Sequence, residues 1–295
     1  MPRIATNGVD LEYETFGVAR APAILLIMGL GAQMILWDEE FCEALAGRGY
    51  RVIRFDNRDV GLSTKLEDAG MPNMAAALTA VAQGRLPSAP YTLHDMADDT
   101  EGLLGALGID AAHVVGASMG GMIAQTLAIR HPQRIRTLTS IMSTTGNPEL
   151  PRATPAAMQV LMTPAPTQRA GFIEHHVEVS KVIGSPGFPF DAEAARARGA
   201  RVFDRGVSPA GVARQMVAIL ASGSRKPALA SVRAPTLVIH GDADPLVPIA
   251  AGRDTAEAVP GAELLVIEGM GHDLPRQAWP RLVDAITKHA GRATA

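Results

Sequence analysis

Gly116-Ala117-Ser118-Met119-Gly120-Gly121 is the stretch that decides the fold. His113-Val114-Val115 leads into it as a short apolar strand. Met122-Ile123-Ala124-Gln125-Thr126-Leu127-Ala128-Ile129 leads out of it with helical spacing. A strand, a sharp turn and a helix with one serine at the apex form the Gly-x-Ser-x-Gly arrangement that holds a hydroxyl out at the end of a strand. Glycine is needed at 116 and 120 because strand and helix crowd together there. The helix aims its free N–H groups and positive dipole end at whatever reacts at the serine. An incidental serine in a Gly-rich turn would not place a strand and a helix on its two sides.

On the N-terminal side of this turn, residues 4–16 read as a β-hairpin around Asn7-Gly8, with Val9, Leu11 and Tyr13 alternating with polar residues. Residues 23–28 are continuously apolar, as in a strand covered on both faces of a parallel sheet, and Gly29-Leu30-Gly31 follows at once. A helix is predicted over about 37–48, with Phe41, Cys42 and Leu45 on one face, and a strand over 51–55 that ends in the polar loop 56–63. Residues 71–90 are Ala-rich with scattered Gly and Pro and yield no firm element. Thr92 with Asp95 three residues on resembles a capping box, opening a helix that stops near Gly108.

On the C-terminal side, residues 138–142 read as a strand. From Ser143 to about Arg225 the texture changes: Pro148, Pro151, Pro155, Pro164, Pro166, Pro186, Pro189 and Pro209 interrupt short helical patterns and no strand is evident. Strands resume at 235–240 and 264–267, and a terminal helix runs from about 275 to 289. Strands alternating with helices imply right-handed crossovers and a mainly parallel sheet. The expectation is an α/β fold with residues 1–143 and 226–295 as the core domain and residues 144–225 as an inserted helical cap.

At 295 residues the chain can bury a large core, and 47% hydrophobic with 19% charged residues describes a globule, not a disordered chain. A net charge of -3 supplies no basic field for nucleic acid or anionic lipid. One cysteine excludes an internal disulfide, and Cys42, in an apparent amphipathic helix, reads as a buried structural thiol. No signal-peptide core and no membrane-length apolar run are present, so a cytoplasmic protein without membrane or nucleic-acid partners, a monomer or homodimer, is expected.

A serine hydroxyl needs an adjacent base, and the base an orienting acid, before it becomes a nucleophile near pH 7. Two loops at carboxyl ends of strands, where open α/β sheets place their sites, carry candidates: Gly241-Asp242-Ala243-Asp244-Pro245-Leu246-Val247-Pro248 and Glu268-Gly269-Met270-Gly271-His272-Asp273. With Met28-Gly29-Leu30-Gly31, Asp56-x-Arg58-Asp59-x-Gly61-x-Ser63 and the serine turn, these stretches resemble the α/β-hydrolases over nearly the whole chain. Within that superfamily they resemble capped esterases related to aclacinomycin methylesterase. The resemblance implies Ser118 as nucleophile, His272 as general base then acid, and Asp244 as orienting acid. Asp242 is the rival acid; the Gly-x-x-Asp-x-x-x-Pro spacing selects Asp244. The loop after the strand that follows the serine helix offers only Glu149, on a Pro-rich approach. Two backbone N–H groups are needed to hold a developing oxyanion. Met119 supplies one by its position after the nucleophile, and the resemblance implies Leu30 for the other. Relatives have His-Gly where this chain has Met28-Gly29, which removes a bracing side chain and leaves Gly29 and Leu30 both open.

Gly29, Met34, Trp37, Met119, Met142 and Met162 are candidates to line an apolar substrate pocket, although Met is also a generic core filler. Asp56 and Arg58 read as a buried ion pair holding their loop beside the site. Arg196, Arg198, Arg201 and Arg205 read as a solvated helix face. His94, His113, His131 and His289 read as surface or cap positions, and His240 as packed at a strand end. Adjacent His175 and His176 make poor metal partners, and no His/Cys/carboxylate spacing suggests a metal. Gly29-Leu30-Gly31 lacks the third glycine of a dinucleotide fingerprint. The expected function is a cofactor-free serine carboxylesterase acting on small to medium apolar esters through an acyl-enzyme, its pH profile rising as His272 deprotonates. A lactonase, a carbon–carbon bond hydrolase or a cofactor-free perhydrolase would use the same three residues, and a non-catalytic ligand-binding protein could retain them.

Overall fold

The computed structural model describes residues 2–294. β1 (Arg3–Thr6) and β2 (Val9–Phe16) form the hairpin, with Asn7 and Gly8 at φ 43° and 78°, the paired left-handed conformations of a two-residue turn. β3 (Ala23–Ile27) follows, then a 3-10 turn at Met34–Leu36 and α1 (Glu39–Ala46), capped by the Asp38 carboxylate. β4 (Arg51–Phe55) leads by a long loop to α2 (Met74–Ala82), and Thr92 and Asp95 complete both halves of the capping box that opens α3 (Leu93–Ala106). β5 (Ala112–Ala117), α4 (Met119–Arg130) and β6 (Ile135–Ile141) carry the serine turn. Five helices and no strand lie between β6 and the next strand: α5 (Pro155–Met162), α6 (Arg169–Ile183), α7 (Ala192–Asp204), α8 (Pro209–Ser222) and the short α9 (Lys226–Leu229). The chain closes with β7 (Thr236–Gly241), α10 (Ile249–Ala258), β8 (Glu263–Ile267) and α11 (Trp279–Gly291).

The strands form one sheet in the order β1-β2-β4-β3-β5-β6-β7-β8. β2 runs antiparallel to β1 and β4, and every other neighbouring pair is parallel. Period-two alternation splits each central strand between two apolar layers. Leu25, Ile27 and Val114 pack with Leu103 of α3 and Ile123 of α4. Ile24, Leu26 and Val115 pack with Phe41 of α1 and Leu282 and Ile286 of α11. Cys42 is in this second layer, and burial pushes its thiol up to about 12. Among the described residues no helix is long and apolar enough to cross a membrane, and no cluster of three His, Cys, Asp or Glu could hold a metal.

The segment between β6 and β7 is fastened to the sheet by arginines. Buried Arg225 closes its two ends together: its N–H donates to Thr145 O at 2.7 Å and its guanidinium to Thr144 O at 2.8 Å and Gln125 Oε1 at 3.2 Å. Arg214 of α8 grips Asp59 in the loop after β4 with bonds of 2.8 and 2.6 Å. The expected Asp56–Arg58 ion pair is not formed. Arg58 turns to Asp99 of α3, at 2.6 and 2.5 Å, and Asp56 pairs with Arg205 at 3.0 Å. The arginine face of α7 is likewise only partly solvated: Arg201 reaches Glu39 of α1, and Arg205 bonds Gln33 as well as Asp56.

Two histidines read as surface positions are core residues. His289 is 3% exposed, its Nε2 facing Leu138 O and Pro235 O. His113, on β5, is 1% exposed; Nδ1 meets Thr137 Oγ1 at 3.0 Å and Nε2 has no partner. A lone polar residue in a short run carries no mark of which sheet face it occupies. Burial, followed by the fields of Arg136 and His289, lowers the His113 pKa from 6.5 to about 4. The unfolded chain therefore takes up a proton that the folded chain refuses, and stability falls as pH drops from about 6.5 toward 4. The melting temperature is expected to decline through that window, and less steeply in His113→Gln. Equal slopes in the two proteins would assign the acid sensitivity elsewhere.

Candidate active site

Ser118 joins β5 to α4 with φ 55° and ψ −120°, a conformation that a non-glycine residue holds only when its surroundings enforce it. The enforcing contacts are backbone to backbone. A Cβ on Gly116 would lie 2.1 Å from Gly120 O, and one on Gly120 would lie 2.0 Å from Ile27 O at the end of β3. Ser118 N–H donates to Ile141 O at 2.9 Å, and Ser143 Oγ donates to Ser118 O at 2.7 Å, so β6 and its loop hold the turn from the other side.

Ser118, Asp244 and His272 converge from three loops at one edge of the sheet. Ser118 Oγ is 3.0 Å from His272 Nε2, and His272 Nδ1 is 2.7 Å from Asp244 Oδ2. An ionised carboxylate only accepts, so Nδ1 carries the proton and the Nε2 lone pair faces the hydroxyl. Asp244 Oδ1 accepts from the N–H groups of Leu246 and Val247 at 2.9 and 2.8 Å, which fixes the carboxylate on its own turn. Asp242 points elsewhere, accepting Gly269 N–H at 2.7 Å. Glu149 is exposed. Fully buried His240 supports the acid turn by donating to Val247 O at 2.7 Å, and burial lowers its pKa.

Met119 and Leu30 each present a backbone N–H with no hydrogen-bond partner among the described residues. The loop that carries Leu30 lies against the serine: a Cβ on Gly29 would be 3.1 Å from Ser118 Cβ and 3.6 Å from Oγ. With methionine at 28, this loop is braced by groups distant in sequence. Asn57 Nδ2 donates to Met28 O at 3.0 Å, Gln215 Oε1 accepts Gly31 N–H at 2.8 Å, and Asp56 Oδ1 accepts Met34 N–H at 2.7 Å. Nothing in the local sequence marked Asn57 or Gln215. Gly29→Ala is expected to lower kcat about 10- to 100-fold by crowding the nucleophile, with little change in melting temperature. Unaltered kcat would mean that the loop yields without cost.

The pocket candidates separate. Met142, at φ 40° and 5% exposed, sits at the carboxyl end of β6 beside the serine turn. Met34 is fully buried and packs with Ile35 and Val202, bringing α7 down on the loop after β3. Trp37 is a correction: it is fully buried, stacked on Phe41 at 5.7 Å in the layer under α1 and α11, and its ring N–H has no partner. Its bulk fills the core, and the continuous apolar run Met34-Ile35-Leu36-Trp37 does not tell core from pocket. Met162 is also displaced from the expectation, standing 39% exposed at the end of α5.

A family model described as the alpha/beta hydrolase fold matches residues 22–275. The chain is 31% identical to the rhodomycin D methylesterase DauP of Streptomyces sp. (strain C5), covering 99% of this chain and 98% of that protein. It is also 31% identical to the rhodomycin D methylesterase DnrP of Streptomyces peucetius, covering 99% of each. Among solved structures, a meta-cleavage product hydrolase from Pseudomonas fluorescens IP01 is similar with a TM-score of 0.78 at 22% identity, over 99% of this chain and 98% of that one.

Proposed function

The chain belongs to the α/β-hydrolase fold family, and from that premise we propose that it is a serine carboxylesterase. The observation that carries the reading is the unbroken hydrogen-bond chain from Ser118 Oγ through His272 to Asp244. Similarity to two methylesterases along the whole length supports ester hydrolysis. Ser118 Oγ attacks the ester carbonyl carbon while His272 Nε2 takes its proton. The carbonyl π electrons move onto oxygen, and the N–H groups of Met119 and Leu30 receive that charge. The oxyanion collapses, the C–O bond to the alcohol breaks, and the imidazolium returns the proton to the departing alkoxide. Water, deprotonated by the same nitrogen, then releases the acid and restores Ser118. Asp244 holds the imidazole in the required tautomer and offsets its positive charge.

The substrate class is small to medium apolar esters. Residues 144–225 act as a cap over the serine, fastened at both ends by Arg225 and through α8 by Arg214 and Gln215. The test uses short-chain p-nitrophenyl esters with rapid mixing. A burst of about one p-nitrophenol per enzyme, and a mass increase equal to the acyl group on the Ser118 peptide, are expected if an acyl-enzyme accumulates. Saturable binding with no turnover by wild type would replace the esterase with a ligand-binding protein.

A further inference from the structure

Between α6 and α7 the chain runs Gly184-Ser185-Pro186-Gly187, and this short segment lies directly on the loop that presents His272. At its glycines the contact has no room for a side chain. A Cβ on Gly271 would be 2.1 Å from Gly184 O, and one on Gly269 would be 2.6 Å from Gly187 Cα. Main-chain bonds cross the seam at both ends: His272 N–H donates to Ile183 O at 2.7 Å, and Gly187 N–H to Gly269 O at 2.9 Å. Between them Ser185 Oγ accepts Gly271 N–H at 2.9 Å and donates to Asp273 Oδ1. The hydroxyl thus ties the residue before the histidine to the residue after it. The sequence offered no sign of this, because the partners are 86 and 88 positions apart.

We propose that Ser185 and Asp273 are positioning residues that clasp the α6–α7 segment to the His272 loop and thereby set the imidazole against Ser118. The functional part rests on the esterase reading above. Neither residue touches the reacting atoms. They hold the Gly271 amide and the Asp273 side chain that flank His272, so freeing them lets the ring swing about its backbone while Asp244 still holds one edge. Only a small displacement of Nε2 breaks the line to Oγ, and misplacements of about 1 Å cost on the order of 100-fold in rate. Burial raises the pKa of the Asp273 carboxyl, opposed by the Ser185 hydroxyl and the charges of Arg198 and His272. Without the serine, a half-buried carboxyl would stand beside the histidine with no hydroxyl donor. The same clasp fixes the segment between β6 and β7 to the site, so its placement and that of the histidine are one equilibrium rather than two.

The test compares wild type, Ser185→Ala, Ser185→Thr and Asp273→Ala as full-length protein. Three readouts are followed: kcat and KM on a p-nitrophenyl ester, hydrogen exchange at the amides of residues 271 and 272, and the downfield proton resonance of the His272 Nδ1–H bond to Asp244. Ser185→Ala and Asp273→Ala, which remove the donor and the acceptor of the clasp, are expected to lose about 10- to 100-fold in kcat with KM within about threefold. Their exchange at 271 and 272 should accelerate at least about tenfold, and the downfield resonance should broaden or disappear. Ser185→Thr, which keeps the hydroxyl, should recover most of each. If Ser185→Ala does not fold, the Asp273→Ala and Ser185→Thr pair decides alone. Folded variants with wild-type kcat, exchange and resonance overturn the clasp. Should wild type hydrolyse no ester, the function proposed above fails, and the exchange and resonance readouts still decide the clasp.

Discussion

Ser118→Ala is expected to reduce ester hydrolysis by about 10⁴- to 10⁶-fold while leaving the melting temperature within about 2 °C of wild type. The small stability effect follows from local structure. Ser118 caps α4 without a side-chain cap bond, and its side-chain hydrogen bond is to His272. Alanine bears the same positive φ at much the same cost, and the turn is enforced by Gly116 and Gly120, which stay. The large rate effect follows because the other two residues have nothing to activate once the hydroxyl is gone. Adding His272→Ala to Ser118→Ala should therefore cost almost nothing more, the non-additivity of groups that act as a unit. Asp244→Asn alone is expected to lose about 10⁴-fold, since an amide can donate to Nδ1 and stabilise the wrong tautomer. A residual acceleration of about 10³-fold over water should survive in Ser118→Ala if the Met119 and Leu30 N–H groups receive the oxyanion. Hydrolysis persisting near the wild-type rate would remove Ser118 from the chemistry.

Much of this site was legible because its signals are local. The Gly-x-Ser-x-Gly turn needs its glycines within two residues of the serine, and the contacts of Gly116 and Gly120 are those that the crowding of strand on helix requires. Thr92 and Asp95 satisfy each other within one helical turn. Asp244 is distinguished from Asp242 by spacing alone, and the two do face different partners. What was not legible depends on contacts between distant positions. α2 is nearly all apolar or alanine, so it has no polar face to give a helical period. Arg58 stands two positions from Asp56 in sequence, yet the bidentate partner that fits its guanidinium is Asp99, 41 residues on. Gln215 and Asn57 brace the loop after β3 from positions 184 and 29 residues away from their acceptor or donor. Met34, Trp37 and Met162 share apolar character but fall into three environments, because composition records hydrophobicity and not which cavity or core it fills.

Arg214→Met is expected to destabilise the protein by about 3–5 kcal/mol, since it strands a carboxylate in the interior. Arg214 and Asp59 are 1% and 0% exposed in their side chains and make a bidentate pair at 2.8 and 2.6 Å. Asp59 also accepts from Tyr91 O–H and from Leu66 N–H, both at 2.8 Å. Burial alone would raise the Asp59 pKa; the Arg214 bond and these two donors outweigh it, and the carboxyl is held below its usual range. A depressed folded-state pKa means that the pair stabilises fully above the unfolded carboxyl's pKa of about 4 and is lost as pH falls further. Arg214→Met should therefore narrow its deficit in acid, where wild type loses the pair as well. Asp59→Asn tests the other side, because asparagine tolerates the φ of 71° at this position where most residues would not. The double variant should be less destabilised than the sum of the singles by at least about 1 kcal/mol, the mark of a direct coupling. Activity should follow stability here for a structural reason. Gln215, next to Arg214 on α8, holds Gly31 N–H in the loop that carries Leu30, so a helix that slips from Asp59 takes that support with it. Urea unfolding of the four proteins measures the coupling. Additive losses, or an Arg214→Met loss under about 1 kcal/mol, would show that α8 is held by its apolar face and not by the ion pair.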